Sequence, residues 1–166
     1  MSADDATSTD IAWVSLGSNI GHRGRNLGRL RAALTEGGVS ITAASPEILT
    51  RPVGVTAQGD FHNQVVRLRS SVPWTPRRWL EHCEQAERVA GRRPTYRWGP
   101  RVADADILLL GEHGEIRVHE QDLIVPHPEL GNRAFEQQLL AAAGYAPASP
   151  RTSARSAADP PAGAPA

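Results

Sequence analysis

Asp104-Ala105-Asp106 runs directly into Ile107-Leu108-Leu109-Leu110. A pair of acids heading an unbroken apolar run narrows what this chain can become. The apolar residues read as a buried strand, and side chains at i and i+2 of a strand share one face. Asp104 and Asp106 therefore stand side by side at the mouth of a sheet. Two such carboxylates repel each other, and a bound divalent cation relieves the repulsion. Arg97, Trp98 and Arg101 lie just upstream and add anion-binding and stacking groups. Hard metal, phosphate and a flat ring are the ingredients of nucleotide chemistry.

The 166 residues suit one domain with a sizeable core. Basic and acidic residues balance at 18 each, which argues against a general nucleic-acid or membrane-surface binder. Every basic residue is an arginine. The absence of lysine excludes a G-x-x-x-x-G-K-[ST] loop and a lysine Schiff base, so any phosphate must be met by arginine forks. GC-rich coding explains the missing lysine better than function does. Cys83 is the single cysteine; it permits no internal disulfide and reads as a small core residue. No signal peptide and no membrane-spanning apolar run are evident, and a cytoplasmic monomer is the expectation.

Polar stretches at 1–10 and 147–166 read as disordered tails around a domain at 11–146. Within it, Ile11 to Leu16, Val39 to Ala44, Phe61 to Arg69 and Asp104 to Leu110 read as strands. Asn26 to Thr35 reads as a helix with Leu27, Leu30 and Leu34 on one face, stopped by Gly37-Gly38. Thr75 is a good N-cap with Pro76 at the first helical position; that helix runs to about Ala90, with Trp79, Cys83, Ala86 and Ala90 inward and Gly91 as its stop. Gly111 to Gly114 reads as a turn into a partner strand near Ile116 to Val118. Asn132 to Ala143 is the last helix, stopped by Gly144. The order predicts an α+β fold, a ferredoxin-like, mostly antiparallel sheet with helices packed on it.

Other motifs are weaker when taken singly. Leu16-Gly17-Ser18-Asn19-Ile20-Gly21 could cradle phosphate, but its spacing favours a tight turn with small residues packed below a site. Phe61 and Asn63 share a strand face, as a stacking ring and a hydrogen-bonding amide would; a core ring beside an exposed amide is the commoner arrangement. Glu84 and Glu87 could be an acid–base pair or metal ligands, or could pair with Arg88 or Arg92 on a solvated face. The arginines after Gly91 could clamp phosphate or form a solvated turn. Arg133 near a helix start suits an anion, while His127 between two prolines is more often structural. Only Arg101, Asp104 and Asp106 stand out alone. A chance D-x-D is common; W-G-P-R-x-x-D-x-D-I-L-L is not.

At that string the chain resembles the 6-hydroxymethyl-7,8-dihydropterin pyrophosphokinase family of folate biosynthesis. The family pattern R-W-G-P-R-T-L-D-L-D-I meets Arg97-Trp98-Gly99-Pro100-Arg101-Val102-Ala103-Asp104-Ala105-Asp106-Ile107. Ordered matches extend from residue 11 to 147 and include Gln58-Gly59-Asp60-Phe61-His62-Asn63, Pro126-His127-Pro128 and Asn132-Arg133-Ala134-Phe135. The resemblance implies attack of the pterin hydroxymethyl oxygen on the β-phosphorus of ATP, giving AMP. It implies two Mg²⁺ ions on Asp104 and Asp106, and catalytic phosphate contacts from Arg92 and Arg101. ATP contacts fall to Arg92, Trp98, Arg101, Ile107, His127 and Arg133. The pterin falls to Thr50, Val53, Phe61, Asn63, Trp98 and Phe135. The partners implied are these small molecules, with neither nucleic acid nor membrane.

The chain departs from the family in places. Ala103 and Ala105 replace leucines, leaving space for Trp79 or Trp13 to fill. The loop from Arg92 to Trp98 is one residue shorter. After Phe135 the usual Val-Leu-x-Pro-Leu is Glu136-Gln137-Gln138-Leu139-Leu140, and loss of the proline should let the helix start sooner. These departures motivate an alternative, a diverged relative that diphosphorylates or only binds another flat heterocyclic alcohol. A base-stacking RNA module is a third reading, opposed by the neutral charge and the scarcity of Phe and Tyr.

Overall fold

The computed structural model describes residues 7–51, 60–93 and 100–149. Val53 and Trp98 lie outside them, as do most of both expected tails.

The elements follow the order β1 (Thr9–Ser18), α1 (Arg23–Leu34), β2 (Val39–Ala44), β3 (Ile48–Thr50), β4 (Phe61–Trp74), α2 (Pro76–Val89), β5 (Asp104–Leu110), β6 (Val118–Glu120), β7 (Leu123–Val125), a 3-10 turn (Leu130–Asn132) and α3 (Ala134–Ala142). The main sheet runs β2-β4-β1-β5, with β3 also paired to β4. β1 is antiparallel to both neighbours, and β2 and β3 are antiparallel to β4. This is the split β-α-β arrangement of the expected ferredoxin-like α+β fold.

β1 is central and buried along almost its whole length, so alternate residues feed two cores. Ala12, Val14 and Leu16 face α1 and α2, where they join Leu27, Leu30, Leu34, Trp79 and Cys83. Ile11 and Trp13 face the other way, toward Leu139, Leu140 and Ala143 at α3. Trp79 shares the first core with Ala103 and Ala105, whereas Trp13 belongs to the second. Burial drives the Cys83 thiol well above its usual range. Truncating Leu30, which is fully buried, to alanine should cost about 2–5 kcal/mol. Urea unfolding with an unchanged m-value would read this as a lower midpoint.

Local signals set several boundaries. Thr75 caps α2, its side chain accepting from the Arg78 N–H at 3.2 Å, and Gly91 stops it at φ +100°, where a Cβ would be strained. Helix α1 starts three residues before the expected position because the His22 side chain caps it, accepting from the Arg25 N–H at 3.3 Å. β1 starts at Thr9, so two residues assigned to a tail are sheet. β4 continues past Arg69 to Trp74. The expected hairpin partner of β5 is reduced to one bridge, Leu110 to Ile116; β6 pairs with β7 instead. Helix α3 begins at Ala134 rather than Asn132, because Leu130–Asn132 are wound as the tighter 3-10 turn and Arg133 caps the helix.

One irregularity matters for the site. Trp13 pairs with Leu109 and Val14 with Ile107, so Leu108 is an extra residue in β5. Such a bulge resets the alternation of faces. Leu108 and Leu109 consequently both enter the α3 core, while Ile107 and Leu110 enter the helix core. On the N-terminal side of the bulge, Asp106 lies opposite Ser15 and Asp104 opposite Gly17.

Candidate active site

The register places a set of polar groups on the α3 side of the sheet. Gly17 pairs with Asp104 on one flank and Asn63 on the other. A Cβ on Gly17 would lie 3.3 Å from Asn63 Oδ1, 3.6 Å from Phe61 Cδ1 and 4.0 Å from Asp104 Cβ. The glycine thus keeps the floor of a cavity open, in keeping with a small residue below a site. The cavity has a volume of about 320 Å³. Thr50, Phe61 and Asn63 form its wall at the β3–β4 end, and Arg101, Asp104 and Asp106 the wall at the start of β5. His127, Arg133 and Phe135 close it from the segment leading into α3. Residues scattered from 50 to 135 in sequence are brought together.

Asp104 and Asp106 share the face, as their spacing requires, but their surroundings differ. Asp104 Oδ1 accepts from Arg92 Nη1 at 2.9 Å, and Oδ2 accepts from Arg101 Nη1 at 2.8 Å. Both oxygens are held by arginine. Burial pushes the Asp106 carboxyl well above the ordinary carboxylate range, and the neighbouring Asp104 and Glu87 charges push it further. This is the frustration expected of paired acids in a low-dielectric site.

Glu87, projecting from α2, supports the arrangement. Its Oε2 accepts from the Ala105 N–H at 3.0 Å and from Arg92 Nη1. Burial raises its carboxyl to about 7, Asp104 adding to the shift while Ala105 and Arg92 oppose it. Of the two readings open for Glu87, the arginine pair with Arg92 is the one found, although the face is buried rather than solvated. Arg92 is therefore seated between Glu87 and Asp104, behind the cavity wall. The turn after β1 fixes Arg101: Asn19 Oδ1 accepts from the Arg101 N–H at 2.7 Å, and the Asn19 N–H donates to the Arg101 carbonyl at 3.0 Å. Among the described residues, Arg101 Nε is buried and finds no acceptor. A buried donor left unsatisfied is costly, and an incoming anion would supply what it lacks.

Asn63 Nδ2 donates to Thr50 Oγ1 and to the Phe61 carbonyl. These bonds orient the amide, which leaves Oδ1 to read a ligand's donor. His127 Nδ1 accepts from the Glu129 N–H at 3.1 Å, so a neutral ring carries its proton on Nε2. Burial lowers the proton affinity of His127. The Val125–Pro126 peptide just before it is cis.

One proposed contact is placed apart. The Ile107 side chain packs into the helix core on the opposite face, so only its main chain can face a ligand on the cavity side. Sequence reasoning also missed residues. Ser15, Arg51, Glu129 and Glu136 line the cavity, and none carries a motif of its own. Their only signal is register: Ser15 is two residues before Gly17, and Glu136 directly follows Phe135.

No group of three or more His, Cys, Asp or Glu side chains suited to a metal occurs among the described residues. The donor set on offer is two carboxylates. That fits Mg²⁺, which is commonly held by one or two carboxylates, waters and substrate phosphates.

Residues 13–144 match the 7,8-dihydro-6-hydroxymethylpterin-pyrophosphokinase family. The chain is 39% identical over 133 residues to the 2-amino-4-hydroxy-6-hydroxymethyldihydropteridine pyrophosphokinase of Bacillus subtilis, covering 80% of this chain and 77% of that one. It is 37% identical over 128 residues to the protein of the same name from Mycobacterium tuberculosis, covering 74% of this chain and 66% of the other. A mitochondrial folate synthesis bifunctional protein of Arabidopsis thaliana is 37% identical over 141 residues, 80% of this chain and 24% of its own length.

Proposed function

The chain belongs to the 7,8-dihydro-6-hydroxymethylpterin-pyrophosphokinase family, and from that premise we propose how its residues divide the transfer of diphosphate from ATP to the hydroxymethyl group of the dihydropterin. The activity is that of an ATP-dependent diphosphokinase in folate synthesis. The observation that carries the assignment of the site is the meeting of Asp104, Asp106, Arg101, Asn63 and both phenylalanines around one cavity.

Phosphoryl-type transfer is chiefly a matter of positioning and charge stabilisation. Phe61 and Phe135 hold the flat pterin, and Asn63, fixed by Thr50, reads its edge. Val53 and Trp98 belong to the same proposal on the family pattern. Arg133 and His127 hold the nucleotide, with Ile107 contributing through its main chain. Two Mg²⁺ ions on Asp104 and Asp106 would neutralise phosphate charge and polarise the attacking hydroxyl. Arg92 and Arg101 neutralise Asp104. When the triphosphate enters, its oxygens compete for these guanidinium groups, and Arg101 offers an Nε that finds no acceptor among the described residues. The arginines thereby pass from the enzyme's acid to the substrate's phosphates, where charge builds as the β-phosphorus is transferred. The protein is further proposed to act as a cytoplasmic monomer. Among the described residues, no helix is long and apolar enough to cross a membrane.

Incubation with Mg-ATP and 6-hydroxymethyl-7,8-dihydropterin should release AMP and form the pterin diphosphate. Nucleotide binding without AMP release would point to another heterocyclic alcohol. Phe61→Ala and Phe135→Ala should each raise KM for the pterin about 10- to 100-fold, the range expected for loss of ring stacking. Affinity for the ATP analogue should change little. Equal loss for both ligands would show that the rings only shape the cavity.

A further inference from the structure

We propose that Glu136 is a positioning residue for the nucleotide, acting by fixing the Arg133 guanidinium at the cavity wall. This rests on the reading of Arg133 as an ATP contact. Glu136 is 1% exposed, the most buried charged residue among those described, yet it lines the same cavity as Asp104, His127 and Phe135. Its Oε1 accepts from Arg133 Nη1 at 3.3 Å. Arg133 is the N-cap of α3 and Glu136 lies in the first turn, where the Glu136 N–H donates to the Arg133 carbonyl at 3.0 Å. The helix start favours a carboxylate at that point.

The Glu136 charge also favours a proton on His127, but the side chain it bonds is Arg133. Leu139 and Leu140, further along α3, bury apolar groups on the same sheet face. An apolar residue at this position would be buried without desolvating an ion. A buried acid paired to one arginine commonly costs more than an apolar replacement. Its use is geometric. The pair is neutral overall, so it adds no net attraction for a triphosphate. It holds one nitrogen of a five-donor fork and leaves the others for phosphate, with the side chain's freedom already lost before ATP arrives.

The test uses the whole chain, with a non-hydrolysable ATP analogue and Mg²⁺ titrated by calorimetry into wild type, Glu136→Val, Glu136→Gln, Arg133→Ala and both double variants. Glu136→Val should weaken binding about fivefold and Glu136→Gln less, because the amide oxygen still accepts from Arg133. The turnover rate at saturating ATP should stay within about twofold, the mark of a binding effect, and the melting midpoint should hold or rise. In the Arg133→Ala background neither change at 136 should weaken binding further. Unchanged or tighter binding in both single variants overturns the proposal. So does additive weakening in the double variants, which would show Glu136 acting apart from Arg133. If Glu136→Val fails to fold, the glutamine cycle decides alone. Absence of AMP release by the wild-type chain would overturn the assigned reaction, whereas the calorimetric cycle still decides the role of Glu136.

Discussion

Asp106→Asn should abolish turnover and at the same time make the ligand-free protein more heat-stable. Asp106 is an acid that the fold tolerates poorly, because burial and the adjacent Asp104 both oppose its charge. An amide of the same shape removes that conflict. It also removes half of the proposed Mg²⁺ donor set, and the loss in kcat should be on the order of a thousandfold. The gain in melting temperature, measured with a chelator present, should be about 2–4 °C. Its pH dependence has a definite sign. A carboxyl whose folded pKa is raised above the ordinary 3.8 binds more protons folded than unfolded, so wild-type stability falls as pH rises through that interval. The advantage of the asparagine variant should therefore be absent below about pH 4 and grow as pH rises above it.

Asp104→Asn should lose turnover as severely but move stability the other way. It strips Arg101 of the carboxylate it now bonds and leaves Arg92 with Glu87 alone, so that charge in the cluster is no longer balanced. The melting point should fall, where Asp106→Asn raises it. Two neighbouring acids with equal effects on catalysis and opposite effects on stability would be hard to explain by general disruption. Wild-type turnover in either variant would contradict the proposed metal role.

Arg92→Ala should lower kcat about 100- to 1000-fold while KM for ATP changes less than about fivefold. Arg92 bridges Glu87 and Asp104 and lies behind the cavity wall. Its proposed work begins when a triphosphate competes for it, so its loss should register in the reaction more than in binding. The substitution has a second consequence. Glu87, 9% exposed at its side chain, would keep the Ala105 N–H but lose its cation. A buried acid without its cation is strongly destabilising. Arg92→Ala with Glu87→Gln should recover stability but not turnover, which separates Arg92's support of the fold from its part in the reaction. A pure KM effect in the single variant would make Arg92 a binding group only.

Much of this was legible beforehand, for reasons that are local. The helix over α2 follows from Thr75, Pro76 and a 3.6-residue spacing of Trp79, Cys83 and Ala86, and β5 follows from its unbroken apolar run. The shared face of Asp104 and Asp106 follows from strand pleating alone. The short strands were not legible, because three residues such as Ile48–Thr50 carry no periodicity. β6 chose β7 over β5 because pairing is decided between segments. The helix starts shifted by two or three residues because His22 provides a cap that its type does not announce, and because a 3-10 turn precedes Ala134.

Local pattern alone lays out the longer helices and strands, the shared face of Asp104 and Asp106, and the set of acids, arginines and rings available to one sheet edge. Only the tertiary structure decided which charges meet. Asn19 holds Arg101 from 82 residues away, Glu87 reaches Ala105 from a different element, and a single extra residue at Leu108 turns both Leu108 and Leu109 into the α3 core. Periodicity is a property of neighbours along the chain, whereas burial, and with it the strength of each charge, is fixed by packing between elements that no local pattern relates.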